Sequence, residues 1–391
     1  MRHFGFLTNA DRDRLFLRAP EPFDRDCEPT TLAVALGATL YCPGTRPALA
    51  ADLARRSAEG VVSFVVCLED AVADGDLPAA ERNAVEQLRS YAATLADSGS
   101  AGDPPMIFVR VRTATQIPML LNELGDAASV VSGFVLPKFT EESGPELLDA
   151  VMTAADHLHR RLFAMPVLES PELIHAETRV ESLLAVRGLL DKHREVVLAV
   201  RVGATDLASA YGLRRSRDLT TYDVRLIADI IGDIVNVFGR VDGGYVVTGP
   251  VWEYYAPSER LFKPILRESP FVEHDERRLR LRLIANDLDG LIREVTLDRA
   301  NGLTGKSVIH PSHVTAVHAL SVVSAEEYAD ATAILTAGCT GGAAASAYGN
   351  KMNESKPHTA WAGRTALRAG VFGVAREDVS FVDLLGAGLE R

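Results

Sequence analysis

The sequence predicts an α/β fold, a (β/α)8 barrel of the TIM type with an N-terminal extension and a C-terminal helical appendage. Three observations predict it. Short apolar runs rich in Val, Ile and Phe recur eight times, and segments of helical period separate them. The glycine-rich strand–helix turn of an open dinucleotide-binding sheet is missing.

In order, the runs are ATLYCP (38–43), VVSFVVCLED (61–70), MIFVRV (106–111), SGFVLPK (132–138), LFAMPVLES (162–170), VVLAVRVGATDL (196–207), GGYVVTGPV (243–251) and GKSVIHP (305–311). Near-continuous apolar strands without strict alternation suit a parallel sheet covered on both sides. Between them, stretches such as RPALAADLARRSAEG, PELLDAVMTAADHLHRRL and TYDVRLIADIIGDIVNVFG repeat apolar positions three and four apart, as amphipathic helices do. Residues 1–36 precede the first run and form the extension. Residues 37–325 are assigned to the barrel, with a charged, proline-interrupted insertion at 254–282. Residues 326–391 form the appendage.

Composition narrows the function classes. Hydrophobic residues are 47% and charged residues 24%, as in an ordinary globular protein. A formal charge of −12 speaks against nucleic acid or an acidic membrane as a partner, because both repel an acidic protein. It leaves room for a small anionic substrate, which responds to the field of one cleft. Cys27, Cys42, Cys67 and Cys339 are widely spaced, without metal-type pairing. Cys42 and Cys67 fall in apolar runs and read as reduced core thiols. The start MRHFGFLTNADRDRL lacks the apolar stretch of a signal peptide, and no run approaches the ~20 residues of a membrane span. A reduced, cytoplasmic protein is expected.

In such barrels the loops after the strands form the active face, so polar residues that end the runs are informative. They are Glu69 and Asp70, Arg110 and Arg112, Lys138, Glu169, Asp206 and His310. Glu169 and Asp206 end adjacent runs, and two carboxylates with waters and a chelating substrate make an open Mg²⁺ octahedron. Asp206 would equally suit a helix N-cap. Glu69–Asp70 reads either as functional or as a solvated strand end or cap. Arg110 needs an anion, either a protein carboxylate or a substrate oxyanion. Lys138 reads as a Schiff-base lysine only in a metal-independent mechanism. His310, followed by Pro, suits loop fixing at least as well as proton transfer. Arg112, Arg201, Arg214, Arg215 and Arg217 hint at a more anionic substrate, although surface ion pairing is the commoner role of such residues.

Taken together and in this order, LYCPGTRP (40–47), VVCLEDAV (65–72), FVRVRT (108–113), GFVLPK (133–138), PVLESPE (166–172), VGATDL (202–207) and GKSVIHPSHV (305–314) resemble the citrate lyase beta-subunit-like family. Malyl-CoA lyases and hydroxy-oxo-acid aldolases are its relatives. The resemblance implies a trimeric or hexameric barrel that cleaves or forms a bond next to a carbonyl of a 2-oxo acid, hydroxy acid or acyl-CoA. It implies Glu169 and Asp206 as ligands of Mg²⁺, with Mn²⁺ as the alternative ion. Arg110 would steady the enolate or carboxylate, and Glu69 and Asp70 would orient water and substrate. Arg46, Arg112 and Lys138 are the substrate-binding candidates. KMNE (351–354) stands where the lyases have an acidic tail motif, which offers Glu354 to a neighbouring subunit's site. Arg112, the 254–282 insertion and the tail NKMNESKPHTAWAGR depart from the family pattern and resemble a divergent carbon–carbon bond lyase branch found beside tellurium-resistance-type genes. Two other readings share the barrel: a thioester hydrolase and a non-catalytic ligand-binding subunit.

Overall fold

The computed structural model describes residues 1–97, 104–255, 288–338 and 341–389. Twelve strands lie among them. Phe16–Arg18 is β1; Ala38–Pro43, Ser63–Cys67, Met106–Arg110, Val131–Leu136, Phe163–Leu168, Val200–Val202, Val247–Trp252 and Lys306–Val308 are β2 to β9. Ala343–Ala345, Met352–Glu354 and Val374–Ala375 are β10 to β12. Strands β2 to β9 close into an eight-stranded barrel with every pair parallel, as the sequence predicts. A helix follows each strand, from Leu49–Ala58 after β2 to Ser312–Ser321 after β9.

Burial explains why these segments are strands and helices. Every residue of β3, β4, β5 and β6 is buried, so the runs need no alternation. The helix Arg225–Phe238 instead buries Ile227, Ile230, Ile231, Ile234, Val237 and Phe238, one apolar stripe facing the barrel. At Gly133 the chains run so close that a Cβ would lie 2.0 Å from the Phe163 carbonyl oxygen, so only glycine fits where β5 meets β6.

The appendages form one layer. β1 pairs antiparallel with β12, and the helix Pro29–Ala35 packs against Ser355–Phe372. His3 stacks on Phe372 at 4.3 Å and meets the His318 ring edge-on at 4.5 Å, while its Nε2 lies 3.0 Å from the Ala35 carbonyl oxygen. The Ala38 N–H donates to His318 Nε2, which fixes this cluster at the N-terminal end of β2. The tail is not purely helical as the sequence predicts: β10 and β11 form a hairpin between the helices Ala325–Ala337 and Ser355–Phe372. Its Gly- and Ala-rich composition made helix and turn hard to separate by period. The predicted insertion, apart from Tyr254 and Tyr255, lies outside the described residues, as does Cys339. No helix among the described residues is long and apolar enough to cross a membrane.

The histidine cluster carries a pH signature. Burial pushes His3 down to about 3 and His318 well below its ordinary value. Each ring is neutral when folded and takes a proton when unfolded, so its stabilisation is present above about 6.5 and is lost as pH falls from there toward about 3. The slope is up to ~1.4 kcal/mol per pH unit per ring. Denaturant titrations of the parent and His3→Phe between pH 8 and pH 4 should show a shallower decline in the variant; superimposable profiles would contradict this assignment.

Candidate active site

Five barrel strands deliver charged groups to one end of the barrel. After β3 the chain turns at Glu69 and Asp70, and the Val72 N–H donates to the Glu69 carbonyl oxygen. Arg112 fastens this turn: it donates to the carbonyl oxygens of Leu68 and Val72 and pairs with Asp74. Arg112, expected among the substrate-binding residues, makes these loop contacts and is not among the residues that line the cavity described below.

Arg110 ends β4 and is 9% exposed. Its Nη2 lies 2.7 Å from Glu69 Oε2, 2.9 Å from Glu169 Oε1 and 3.0 Å from Asp70 Oδ2. Of the two alternatives left by the sequence, protein carboxylates are the partners seen; Arg110 also lines a cavity, and its Nε–H has no acceptor. Burial opposes its charge, and Glu169, Tyr41 and Glu69 outweigh that, holding it protonated above its ordinary range. Lys138 follows β5 with φ +46°, a left-handed conformation that costs a non-glycine residue energy. That conformation lets its N–H donate to Glu169 Oε1 at 3.0 Å while Nζ reaches Glu69 Oε1. Glu69 is gripped between Arg110 and Lys138, 7% exposed, so it holds the cations in place and does not face the cavity.

Glu169 follows β6 and is 4% exposed. Gly203 makes room for it: a Cβ there would stand 2.0 Å from Glu169 Oε2. Asp206 lies in the first turn of the short helix Ala204–Ser209, whose N-cap is Gly203, so Asp206 is neither a strand end nor the cap. Burial, with the charge and hydrogen bond of Asp206 adding to it against Arg110, pushes Glu169 up to about 8. Near neutral pH this carboxyl therefore holds a proton at a place where a cation would be welcome. Asp70 is half-exposed; partial burial raises its carboxyl, and the Glu69 hydrogen bond, Arg110 and Lys138 bring it below the ordinary range.

These groups surround a cavity of about 340 Å³ lined by Tyr41, Asp70, Arg110, Glu169, Arg201 and Asp206 together with apolar neighbours. Cys42 and Cys67 also line it and, as buried thiols, are pushed up, Cys42 to about 11. Among the described residues no group of three or more His, Cys, Asp or Glu converges as a ready metal cage. Two carboxylates with open positions are what remain, a donor set of hard oxygens that fits Mg²⁺ completed by substrate and water.

Other candidates fall elsewhere. Arg46 pairs with Asp52, which also holds Arg55, and it is not among the cavity residues. Glu354 sits in the β10–β11 hairpin, exposed, and precedes the helix that packs on Pro29–Ala35. It does not line its own chain's cavity. His310 accepts from Ser312 N–H, contacts Ser312 Oγ at 2.7 Å and stacks on Tyr255, a loop-fixing arrangement. Arg215 is not a surface residue: it pairs with buried Glu294. Arg201, grouped by sequence with surface arginines, is 1% exposed inside the barrel. An arginine within the apolar run VVLAVRV was the signal, and inward alternation would have placed it.

Comparison with known proteins agrees with this fold. A family described as C–C bond lyase of the TIM-barrel fold matches residues 30–374. No curated protein matches the chain. Among solved structures, CitE from Mycobacterium tuberculosis in complex with magnesium, acetoacetate and coenzyme A aligns over 86% of this chain and 99% of that one, at 21% identity and TM-score 0.51. A citrate lyase from Burkholderia xenovorans aligns over 90% and 96%, at 17% identity and TM-score 0.59. A Haloferax volcanii malate synthase in a magnesium/glyoxylate complex aligns over 72% and 73%, at 13% identity and TM-score 0.50.

Proposed function

The chain belongs to the C–C bond lyases of the TIM-barrel fold, and from that premise we propose that it cleaves or forms a carbon–carbon bond next to a carbonyl, on a 2-oxo acid or hydroxyacyl substrate, with Mg²⁺ as cofactor. The observation that carries this reading is the convergence of Glu169, Asp206 and Arg110 on one cavity. Structures of similar fold were obtained with magnesium beside acetoacetate and coenzyme A, and beside glyoxylate, which supports the choice of ion and of substrate class.

Glu169 and Asp206 would hold the ion, with Mn²⁺ as a substitute. When bound, it supplies a Lewis acid that polarises a carbonyl and lowers the cost of enolate charge. Arg110 is fixed by three carboxylates, so its guanidinium does not reorganise as charge develops on the substrate oxygen, which is the condition for strong electrostatic stabilisation. Asp70, ionised and half-exposed at the cavity wall, is the proton acceptor within this chain for the substrate hydroxyl. Glu69 and Lys138 position Arg110 and Glu169. In a homotrimer or hexamer, exposed Glu354 would be presented to a neighbouring subunit and could supply the acid that its own chain does not use.

Product analysis tests the reading. With Mg²⁺ present, 4-hydroxy-2-oxo acids and 3-hydroxyacyl-CoA thioesters, whose hydroxyl lies beta to the carbonyl, should yield two carbon fragments, or the reverse condensation. Release of an intact acid and a free thiol would assign the barrel to thioester hydrolysis instead.

A further inference from the structure

A second charged group faces the same cavity, one layer deeper. Arg201 projects inward from β7, in register with Val167, two residues below Glu169. It is 1% exposed, yet among the described residues no carboxylate pairs with it. Its Nη2 donates to Ser307 Oγ at 2.7 Å, and its Nη1 reaches Thr39 Oγ1 at 3.5 Å and Met165 Sδ at 3.6 Å. Its Nε has no acceptor, and the hydroxyl of Thr248, its register neighbour on β8, is also buried without a partner. The guanidinium lies 5.5 Å from the centre of the Tyr41 ring, and Tyr41 and Ser307 line the cavity with it.

A barrel interior is ordinarily filled by branched apolar side chains. A buried cation with no counter-charge is costly, and an apolar residue of similar size would usually serve stability as well or better. Burial accordingly lowers the pKa of Arg201, with the charge of nearby Arg110 adding to the effect and Tyr41 opposing it. The protein thus keeps two guanidiniums on one small cavity: Arg110, surrounded by carboxylates, and Arg201, surrounded only by hydroxyls and a thioether. Each guanidinium leaves its Nε–H without an acceptor, but only at Arg201 does no protein carboxylate among the described residues occupy the rest of the fork, which leaves that edge open to a carboxylate ligand.

We propose that Arg201, with Ser307, binds a second anionic group of the substrate, a carboxylate, so that the cavity selects compact dicarboxylates over monocarboxylates and over long acyl chains. This rests on the proposed function only for where the other end of the substrate lies, at Glu169 and Asp206. The cavity of about 340 Å³ holds a small ligand of this kind.

Malate and lactate are matched probes: both are 2-hydroxy acids, and malate carries one further carboxylate. Calorimetric titrations of the full chain, with Mg²⁺ and with EDTA, should show malate binding at least ~10-fold tighter than lactate. In Arg201→Met that preference should fall to less than ~2-fold, with lactate affinity unchanged. Ser307→Ala should weaken malate alone, by a smaller factor. Because the arginine is kept for a ligand, Arg201→Met should melt at the same or a higher temperature than the parent in the absence of ligand. Equal affinities in the parent, a malate preference that survives in Arg201→Met, or a lowered melting temperature in that variant would each overturn the proposal. Malate binding that needs Arg201 but not Mg²⁺ would uphold it while removing the metal reading. Binding that needs Mg²⁺ but not Arg201 would do the reverse.

Discussion

Arg110→Ala is expected to slow turnover by at least ~10²–10³-fold while the barrel stays folded. The loss follows from geometry: one guanidinium, held by Glu69, Asp70 and Glu169, is the preorganised positive group facing the substrate beside the carboxylate pair. The fold should survive for reasons equally specific. Lys138 still neutralises Glu69, Asp70 is half-exposed to water, and Glu169 already favours its protonated form near neutrality. Little uncompensated charge is left behind. Rates and melting curves on the same preparation check both halves, and an unchanged rate would take Arg110 out of the chemistry.

Lys306→Met should have its effect on stability instead, at roughly 3–5 kcal/mol. Lys306 opens β9 and is fully enclosed, 2.9 Å from Glu294 Oε1 and 2.6 Å from Asp298 Oδ2, both on the helix Leu288–Ala300. Arg215 also reaches Glu294, the Thr221 N–H and hydroxyl donate to it, and the Tyr222 hydroxyl donates to Asp298. Even beside the lysine, burial pushes Asp298 up to about 6, with Glu294 adding to it. Without the lysine both carboxyls rise: Asp298 goes further above its unfolded value, and Glu294, which burial raises but Lys306 and Arg215 together hold below its ordinary value, loses one of those two cations. The stability they allow is then present at low pH and lost as pH rises through the folded values, so the deficit should be greater at pH 8 than at pH 6. Urea titrations at the two pH values measure it; a deficit independent of pH would mean that the network is not electrostatic.

Much of this was legible because parallel barrels write their strands as buried apolar runs and place polar residues just after them. Glu69, Arg110, Lys138 and Glu169 were found that way, and all four converge. Asp206 was found for a partly wrong reason: β7 is short, and the residue rides on the helix that follows Gly203. For Arg46 and Arg112, spacing cannot tell a cation aimed at a cavity from one that clamps a loop; in the structure they pair with Asp52 and Asp74, both distant in pattern from the strand ends. Arg201 was hidden by base expectation, since arginines seldom lie unpaired in a core. The tail hairpin was unreadable because small residues carry no period.

The pairing of Glu169 with Asp206 as a cation site is tested most directly by calorimetry of Mg²⁺ binding to the parent, Glu169→Gln and Asp206→Asn. The parent should bind one ion and release protons at pH 7, because the ion displaces the proton held by Glu169. Each variant should bind at least ~100-fold more weakly. Parent-like affinity in both variants would show that the ion, and with it the chemistry assigned to this cavity, belongs elsewhere.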